Sequence, residues 1–206
     1  MINFVLIIQE NKALMRIYHA ISSLIQVIPY YIIEEFYIDQ KKVNVLLEKE
    51  NSGISILTRD DMEFLGNHEE SNVTPEELIQ WLEKGRICLA FRYKSEIVSY
   101  SWCDLKFLEF KGRTIALKRN EAFLFNARTF KAFRGKNLAP YVRNELGRFL
   151  KKRGTDRFLS ITLWSNTASM KFKQKLDARP TALFLYVGLF RRFHLHIRLR
   201  NLATAQ

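Results

Sequence analysis

RTFKAFRGKNLAPYVRNELGRFLKKRG, Arg128 to Gly154, changes character in its middle. Aromatic residues lead into a short basic loop, and a long amphipathic stretch follows. Arg134 and Lys136 flank Gly135, and Asn137 comes next. Leu138, Tyr141, Val142, Leu146, Phe149 and Leu150 then recur at helical spacing, which predicts a helix from about Asn137 to Lys152. The first amides of a helix have no partner within it, and the helix dipole is positive there. Arg134 and Lys136 add full charges, and Gly135 allows close backbone approach. Asn137 stands where a turn needs positive φ, which asparagine tolerates better than most residues. A strand, a basic loop and a helix in this order read as a cradle for an anion, a pyrophosphate above all. The bland alternative is a basic helix start on a solvated surface.

The rest of the chain sets the context. Its 206 residues, 48% hydrophobic, suffice for a substantial core. Cys88 and Cys103 are too few for a disulfide framework and read as reduced core residues of a cytoplasmic protein. The start, MINFVLIIQENK, lacks the basic-then-apolar order of a signal peptide, and no apolar run is long enough to span a bilayer. Charge is uneven. Residues 1–110 hold 11 Lys/Arg and 17 Asp/Glu, a net of −6, whereas residues 111–206 hold 22 and 4, a net of +18. The basic half calls for an anionic partner: nucleic acid, an anionic membrane, an acidic carrier protein or a phosphorylated cofactor.

Along the chain the pattern is mixed. Leu14, Ile17, Ile21, Leu24 and Ile28 predict a helix over 11–28, stopped by Pro29. YYIIEEFYID (30–39) and GISILT (53–58) read as strands, and RDDMEFLG (59–66) as a short helix. TPEELIQWLEKG (74–85) is a helix with a capping box from Thr74 and Glu77. RICLAFRY and IVSYSWCDLKF form a hairpin about KSE. EAFLFNARTF (121–130) and RFLSITLW (157–164) flank the opening helix as one parallel strand–helix–strand unit over 121–163. NTASMKFKQKL begins a helix at the cap Asn166. PTALFLYVGLF and FHLHIRL are two final strands. Trp102 and Trp164 read as core. The fold class is α+β, a mixed and mostly antiparallel sheet with flanking helices. Residues 1–50 form an N-terminal helix–strand extension packed on a core of residues 51–206.

Three segments carry a family resemblance. FRGKNLA resembles the Arg/Gln-x-x-Gly-x-Gly/Ala acyl-CoA signature of the GNAT N-acyltransferases, with Arg134 first, Asn137 in place of a glycine and Ala139 last. LWSNTASMKFKQKLDA resembles the family's following helix through Asn166 and Ser169. CLAFRYKSEIVSYSW is similar to its second and third strands. The likeness covers residues 54–190 in the family's order. It implies an N-acyltransferase that passes an acetyl or longer acyl group from acyl-CoA to an amine by direct attack. The donor would lie in a V-shaped opening between two strands. Its pantetheine would follow the backbone of Asn126, Ala127, Arg128 and Thr129. Its pyrophosphate would meet Arg134 and the amides of Gly135, Lys136, Asn137, Leu138 and Ala139, with Asn166 and Ser169 beside it. Lys173 stands where many members carry a tyrosine that protonates the leaving thiolate, and Asp177-Ala178 replaces the usual Gly-Phe.

Three catalytic candidates follow. Glu121 alternates onto the face of Phe123 and Phe125 and is a base, directly or through water, or a strand-end carboxylate. Lys173 is the acid or a solvated helix residue. Tyr186 is an acid or a core tyrosine. His194 and His196 share a strand face but lack a third ligand, so no metal is expected. An acyl carrier protein is an alternative donor, suited to the +18 half. LFRRFHLHIRLRN, with arginines beside large apolar residues, suits peripheral contact with the inner face of a membrane. Nucleic acid is disfavoured because the aromatics sit in apolar strand patterns and not among the basic residues.

Overall fold

The computed structural model describes residues 24–37, 45–46, 51–190 and 192–202. Among these residues ten strands and four α-helices follow in chain order. They are β1 (Ile25–Glu35), β2 (Ser52–Ile56), α1 (Asp60–Asn67), α2 (Pro75–Glu83), β3 (Ile87–Tyr93), β4 (Glu96–Asp104), β5 (Phe107–Phe110), β6 (Arg113–Ala116), β7 (Glu121–Thr129), α3 (Leu138–Lys151), β8 (Arg157–Leu163), α4 (Thr167–Gln174), β9 (Arg179–Leu189) and β10 (Phe193–Asn201). Eight strands make one sheet in the order β10-β9-β1-β8-β7-β4-β3-β2, and β5 and β6 form a separate hairpin. Only β7 and β8 pair in parallel among these strands, with α3 as their crossover. This is the mixed, mostly antiparallel α+β sheet that the sequence predicts.

Two layers cover the sheet. Met62, Leu65 and Leu78 of α1 and α2 pack on Cys88, Ala90, Tyr100 and Trp102. Leu146 and Leu150 of α3 pack on Leu89, Cys103, Leu124 and Phe158. The neighbours Cys88 and Leu89 point to opposite layers, as do Trp102 and Cys103, which is the twofold alternation of strands buried on both faces. Thr74 caps α2 in the expected capping box with Glu77. Lys94 and Ser95 turn the β3–β4 hairpin at φ 50° and 69°, the paired positive angles of a tight hairpin turn.

Several expectations need correction. The helix predicted over 11–28 does not reach Ile28: residues 25–28 are β1, and residues 11–23 lie outside the described ones. β-Branched Ile25, Val27 and Ile28 pair with β9, and tertiary pairing overrides the helical spacing. Pro29 sits within the strand. The Trp164 amide donates to its carbonyl at 3.0 Å, and the last β1–β8 rung is Tyr30–Leu163. The missing N–H therefore falls just past the end of β8, where no ladder bond is lost. The strand predicted to run on through Phe107 breaks at Asp104, whose Oδ1 accepts from the amides of Lys106 and Phe107 at 2.7 and 2.9 Å. Trp102 is core, but Trp164 is 57% exposed.

Asn137 precedes α3 at φ 60°, ψ 21°, in the left-handed region. An L side chain there costs about 1–2 kcal/mol, least for Asn. Asn137→Gly is expected to leave stability within about 0.5 kcal/mol of the parent, and Asn137→Val to lose about 1–2 kcal/mol. Urea denaturation of the two variants checks this.

Candidate functional site

Parallel pairing of β7 and β8 stops early. The rungs are Glu121–Arg157, Ala122–Phe158 and Phe123–Leu159. From Leu124 and Ser160 onward the strands part, while β7 stays bonded to β4 as far as Thr129 and β8 to β1 as far as Leu163. A bulge bends β7 at this point. Trp102 faces Phe125 and Tyr100 faces Arg128, so Ser101 opposes both Asn126 and Ala127. Asn126 takes up the extra length at φ 40°. Its side-chain nitrogen is buried with no hydrogen-bond partner among the described residues.

The parting opens a cleft of about 520 Å³. Leu124 to Ala127 and Thr129 form one wall, and Ile161 is on the strand opposite. Arg134, Gly135 and Asn137 to Pro140 bound the start of α3. Asn166, Ala168, Ser169, Phe172, Lys173 and Lys175 come from α4 and its flanks. Gly135 has φ 81°, and a Cβ built there meets nothing within 4 Å. Among the described residues the backbone at Gly135, two residues before the Asn137 cap, is therefore open to close approach by a ligand. Asn137 Oδ1 accepts from Lys175 Nζ at 2.6 Å. Asn166 caps α4 by accepting the Ser169 amide at 2.9 Å.

A buried charge cluster lies against the cleft. Lys173 donates to Ser160 Oγ and Thr162 Oγ1, each at 2.6 Å. Its Nζ is 3.5 Å from Glu35 Oε1, and the other Glu35 oxygen is 3.3 Å from Arg143 Nε. Glu35, Arg143 and Lys173 are only 2–4% exposed. Burial lowers Lys173 more than Glu35 raises it, and its pKa falls to about 8. Burial resists the ionisation of Glu35, yet Arg143 and Lys173 outweigh it and hold the carboxyl below its usual range. Nη1 of Arg143 has no hydrogen-bond partner among the described residues.

The loop between α1 and α2 reaches the same region. Glu70 pairs with Arg134 and accepts the Lys131 amide at 2.5 Å. The backbone hydrogen bond from Lys131, with Arg134 beside it, keeps the Glu70 carboxyl below its usual range. Arg128 donates to the Glu70 carbonyl and, at 3.0 Å, to Asn72 Oδ1. Arg134 also donates from Nε to the Thr129 carbonyl at 3.0 Å.

The structure brings Asn126, Ala127, Thr129, Arg134, Gly135, Asn137, Leu138, Ala139, Asn166, Ser169 and Lys173 to one cleft. Arg128 turns its guanidinium to the α1–α2 loop, and the Lys136 ammonium lies 5.8 Å from the Phe133 ring centre. Glu121 is elsewhere. Its carboxylate bonds Arg157 at 2.6 Å and the Lys118 amide at 3.0 Å, a strand-end ion pair outside the cleft whose arginine is partly exposed. Tyr186 is also outside it, buried with its hydroxyl 2.9 Å from His194 Nδ1. Lys173, read as a catalytic acid or a solvated helix residue, is not solvated. Glu35, Arg143 and Glu70 went unnoticed in the sequence. A carboxylate in the otherwise apolar run YYIIEEF was the available sign for Glu35. Among the described residues no group of His, Cys, Asp and Glu could hold a metal ion. No helix among them is long and apolar enough to cross a membrane.

Comparison with protein-family models gave no match, and neither did comparison with curated protein sequences. Solved structures do resemble the chain. A GCN5-related N-acetyltransferase-like protein from Streptococcus suis superposes with a TM-score of 0.56 at 17% identity, over 87% of this chain and 68% of that one. A protein assigned to the GNAT acetyltransferases from Novosphingobium aromaticivorans gives 0.55 at 15%, over 80% and 64%. A tandem GNAT protein of the clavulanic acid biosynthesis pathway gives 0.58 at 9%, over 81% and 54%. The chain thus spans less than two thirds of the length of the last two. With strands that part beside a helix start, and these structural likenesses, the chain has the fold of the GNAT acetyltransferases.

Proposed function

We propose that the chain is an N-acyltransferase that takes an acyl group from acyl-CoA and gives it to an amine. The observation that carries this reading is the parting of β7 and β8 beside an open, basic helix start. The residues fit the donor. Beyond Phe123 the free edge of β7 offers backbone groups to a pantetheine arm. Gly135 leaves room for phosphate oxygens at the amides of α3, and Arg134 and Lys175 stand beside them. The unpartnered Asn126 and Arg143 donors are polar groups that a ligand in the cleft could satisfy.

Acyl-CoA supplies the activated acyl carbon; the chain's own residues do the rest. β7 and α3 position the donor. Lys173 holds a proton at Nζ, fixed in place by Ser160 and Thr162. No carboxylate lines the cleft among the described residues, so the acceptor amine's proton leaves through water. Glu121, the base expected from sequence, is committed to Arg157 instead. A carrier-protein donor presents the same pantetheine arm, and the basic rim of Arg134 and Lys175 suits its acidic surface.

Peripheral membrane contact is a second reading, favoured by one observation. Phe193, Leu195, Ile197 and Leu199 of β10 are 41–65% exposed beside Arg192 and Arg200. Co-sedimentation with vesicles containing about 30% phosphatidylserine, lost at high salt, is its expected signature. No binding at low salt excludes it.

Two outcomes test the main reading. Calorimetry with acetyl-CoA, an acylated carrier protein and an oligonucleotide should show binding of a pantetheine donor. Arg134→Ala should weaken CoA about tenfold, the scale of one charge-assisted hydrogen bond. Glu70→Gln, which frees Arg134, should strengthen it. Equal affinities in both variants would remove the loop from the site.

Steady-state kinetics on an accepted amine should separate the catalytic candidates. Lys173→Met is expected to lower kcat by about 10²-fold or more. The kcat of the parent should fall above pH 8 as Lys173 loses its proton, and this limb should vanish in the variant. Glu121→Gln should keep its kcat and lose about 1 kcal/mol of stability with the Arg157 pair. A dead Glu121→Gln with native stability would restore Glu121 as the base.

A further inference from the structure

We propose that Arg143 and Lys173 form an anion site in the cleft that holds the sulfur of coenzyme A as a thiolate, with Glu35 as the positioning residue beneath both. The inference rests on the acyl-CoA reading above and adds the form in which the site keeps the leaving group.

Charge balance makes the argument. Arg143 and Lys173 carry two positive charges, and Glu35 returns one negative charge. All three are more than nine-tenths buried. Among the described residues, the groups facing them from other elements add nothing. Ser160 and Thr162 of β8 are neutral hydroxyls that accept from Lys173. Cys103 of β4 is buried and stays protonated, its pKa pushed by burial up to about 12. One positive charge is left over in a place where a lone charge is costly.

Donor geometry points the same way. Arg143 and Lys173 both line the cleft, and Arg143 Nη1 is buried with no partner among the described residues. A guanidinium stays charged in a protein, so it cannot escape the cost by losing its proton. One anion in the cleft would satisfy Nη1 and cancel the surplus together. An acyl thioester is neutral at sulfur and cannot do this. In acyl transfer the carbon–sulfur bond breaks, its electron pair stays on sulfur, the acyl carbon bonds to the amine nitrogen, and the amine's surplus proton passes to solvent. Negative charge arises on sulfur only as that bond breaks, so a site of this kind favours the transition state and product over the bound substrate. A tyrosine acid would end with a neutral thiol; this pair of cations ends with an ion pair.

The test uses the whole chain and needs no acceptor. Calorimetry is run with CoA and with desulfo-CoA in buffers of different ionisation enthalpy, alongside the ultraviolet thiolate band, from pH 6 to 8.5. Near pH 7, where Lys173 is still protonated in the free protein, binding of CoA should release a proton and raise the thiolate band, whereas desulfo-CoA should do neither; towards pH 8 proton uptake by Lys173 offsets the release. With the bound thiol shifted down by about one unit from its free value near 8.5, CoA should bind severalfold tighter than desulfo-CoA at pH 8 and equally at pH 6. Lys173→Met should abolish the thiolate band and the proton release seen with CoA, and Arg143→Lys should retain part of both. Equal binding of the two ligands with no proton release in the parent protein overturns the anion site and leaves the acyl-CoA reading standing. Failure of both ligands to bind overturns both readings. The parent measurement decides even where a variant fails to fold.

Discussion

Strand pairing that ends after Phe123 and Leu159 is the constraint on which the rest depends. A sheet cannot open cheaply in its middle, because each unpaired amide and carbonyl loses about the worth of a hydrogen bond if buried. Here both strands keep a second neighbour past the break. β7 is held by β4 and β8 by β1, so each remains a regular strand on one side while its other side faces the cleft. The bulge at Asn126 adds the bend. β1 is thus part of the opening's frame, since without it β8 would be unsupported between β7 and β9.

The same arrangement accounts for the buried charges. Glu35 ends β1, directly across from Phe158 at the start of β8. Next to it on that face are Ser160 of β8, Lys173 of α4 and Arg143 of α3. Four elements far apart in the chain place polar groups at one point. Ion pairs at 3.3 and 3.5 Å with unsatisfied donors are poor stabilisers, because desolvation exceeds what they return. An apolar cluster would hold the same elements together at less cost. Retention of charge there is better explained by what the cleft does than by stability.

Local signals in the sequence read well, and contacts between distant segments did not. The α3 loop was legible because its information is contiguous: charge, glycine, asparagine and helical spacing lie within one stretch. Thr74 and Asn166 were legible as caps for the same reason. Pro29 was misread because a proline usually ends a helix, and only the length of β8 makes its missing N–H harmless. Glu121 was misread because alternation gives the face of a strand but not the partner, and Arg157 lies in a different segment. Lys173 reads as solvated in any helical wheel of α4, since Glu35, Ser160 and Thr162 are invisible to it.

The departures from the family's motifs bear on how much of the site is kept. Asn137 and Asp177 stand where the motifs have glycine, and their φ angles are 60° and 52°. Both therefore adopt the left-handed backbone that glycine would supply, using the two L residue types that tolerate it best. Lys173 is a different kind of change. A buried lysine needs an anion, as a tyrosine does not, and Glu35 provides it from β1. The lysine in α4 and the glutamate in β1 are then one charged pair drawn from two distant segments. The strand that frames the opening thus also carries one member of that pair, and removal of the Glu35 carboxylate should be felt at Lys173 before it is felt in the sheet.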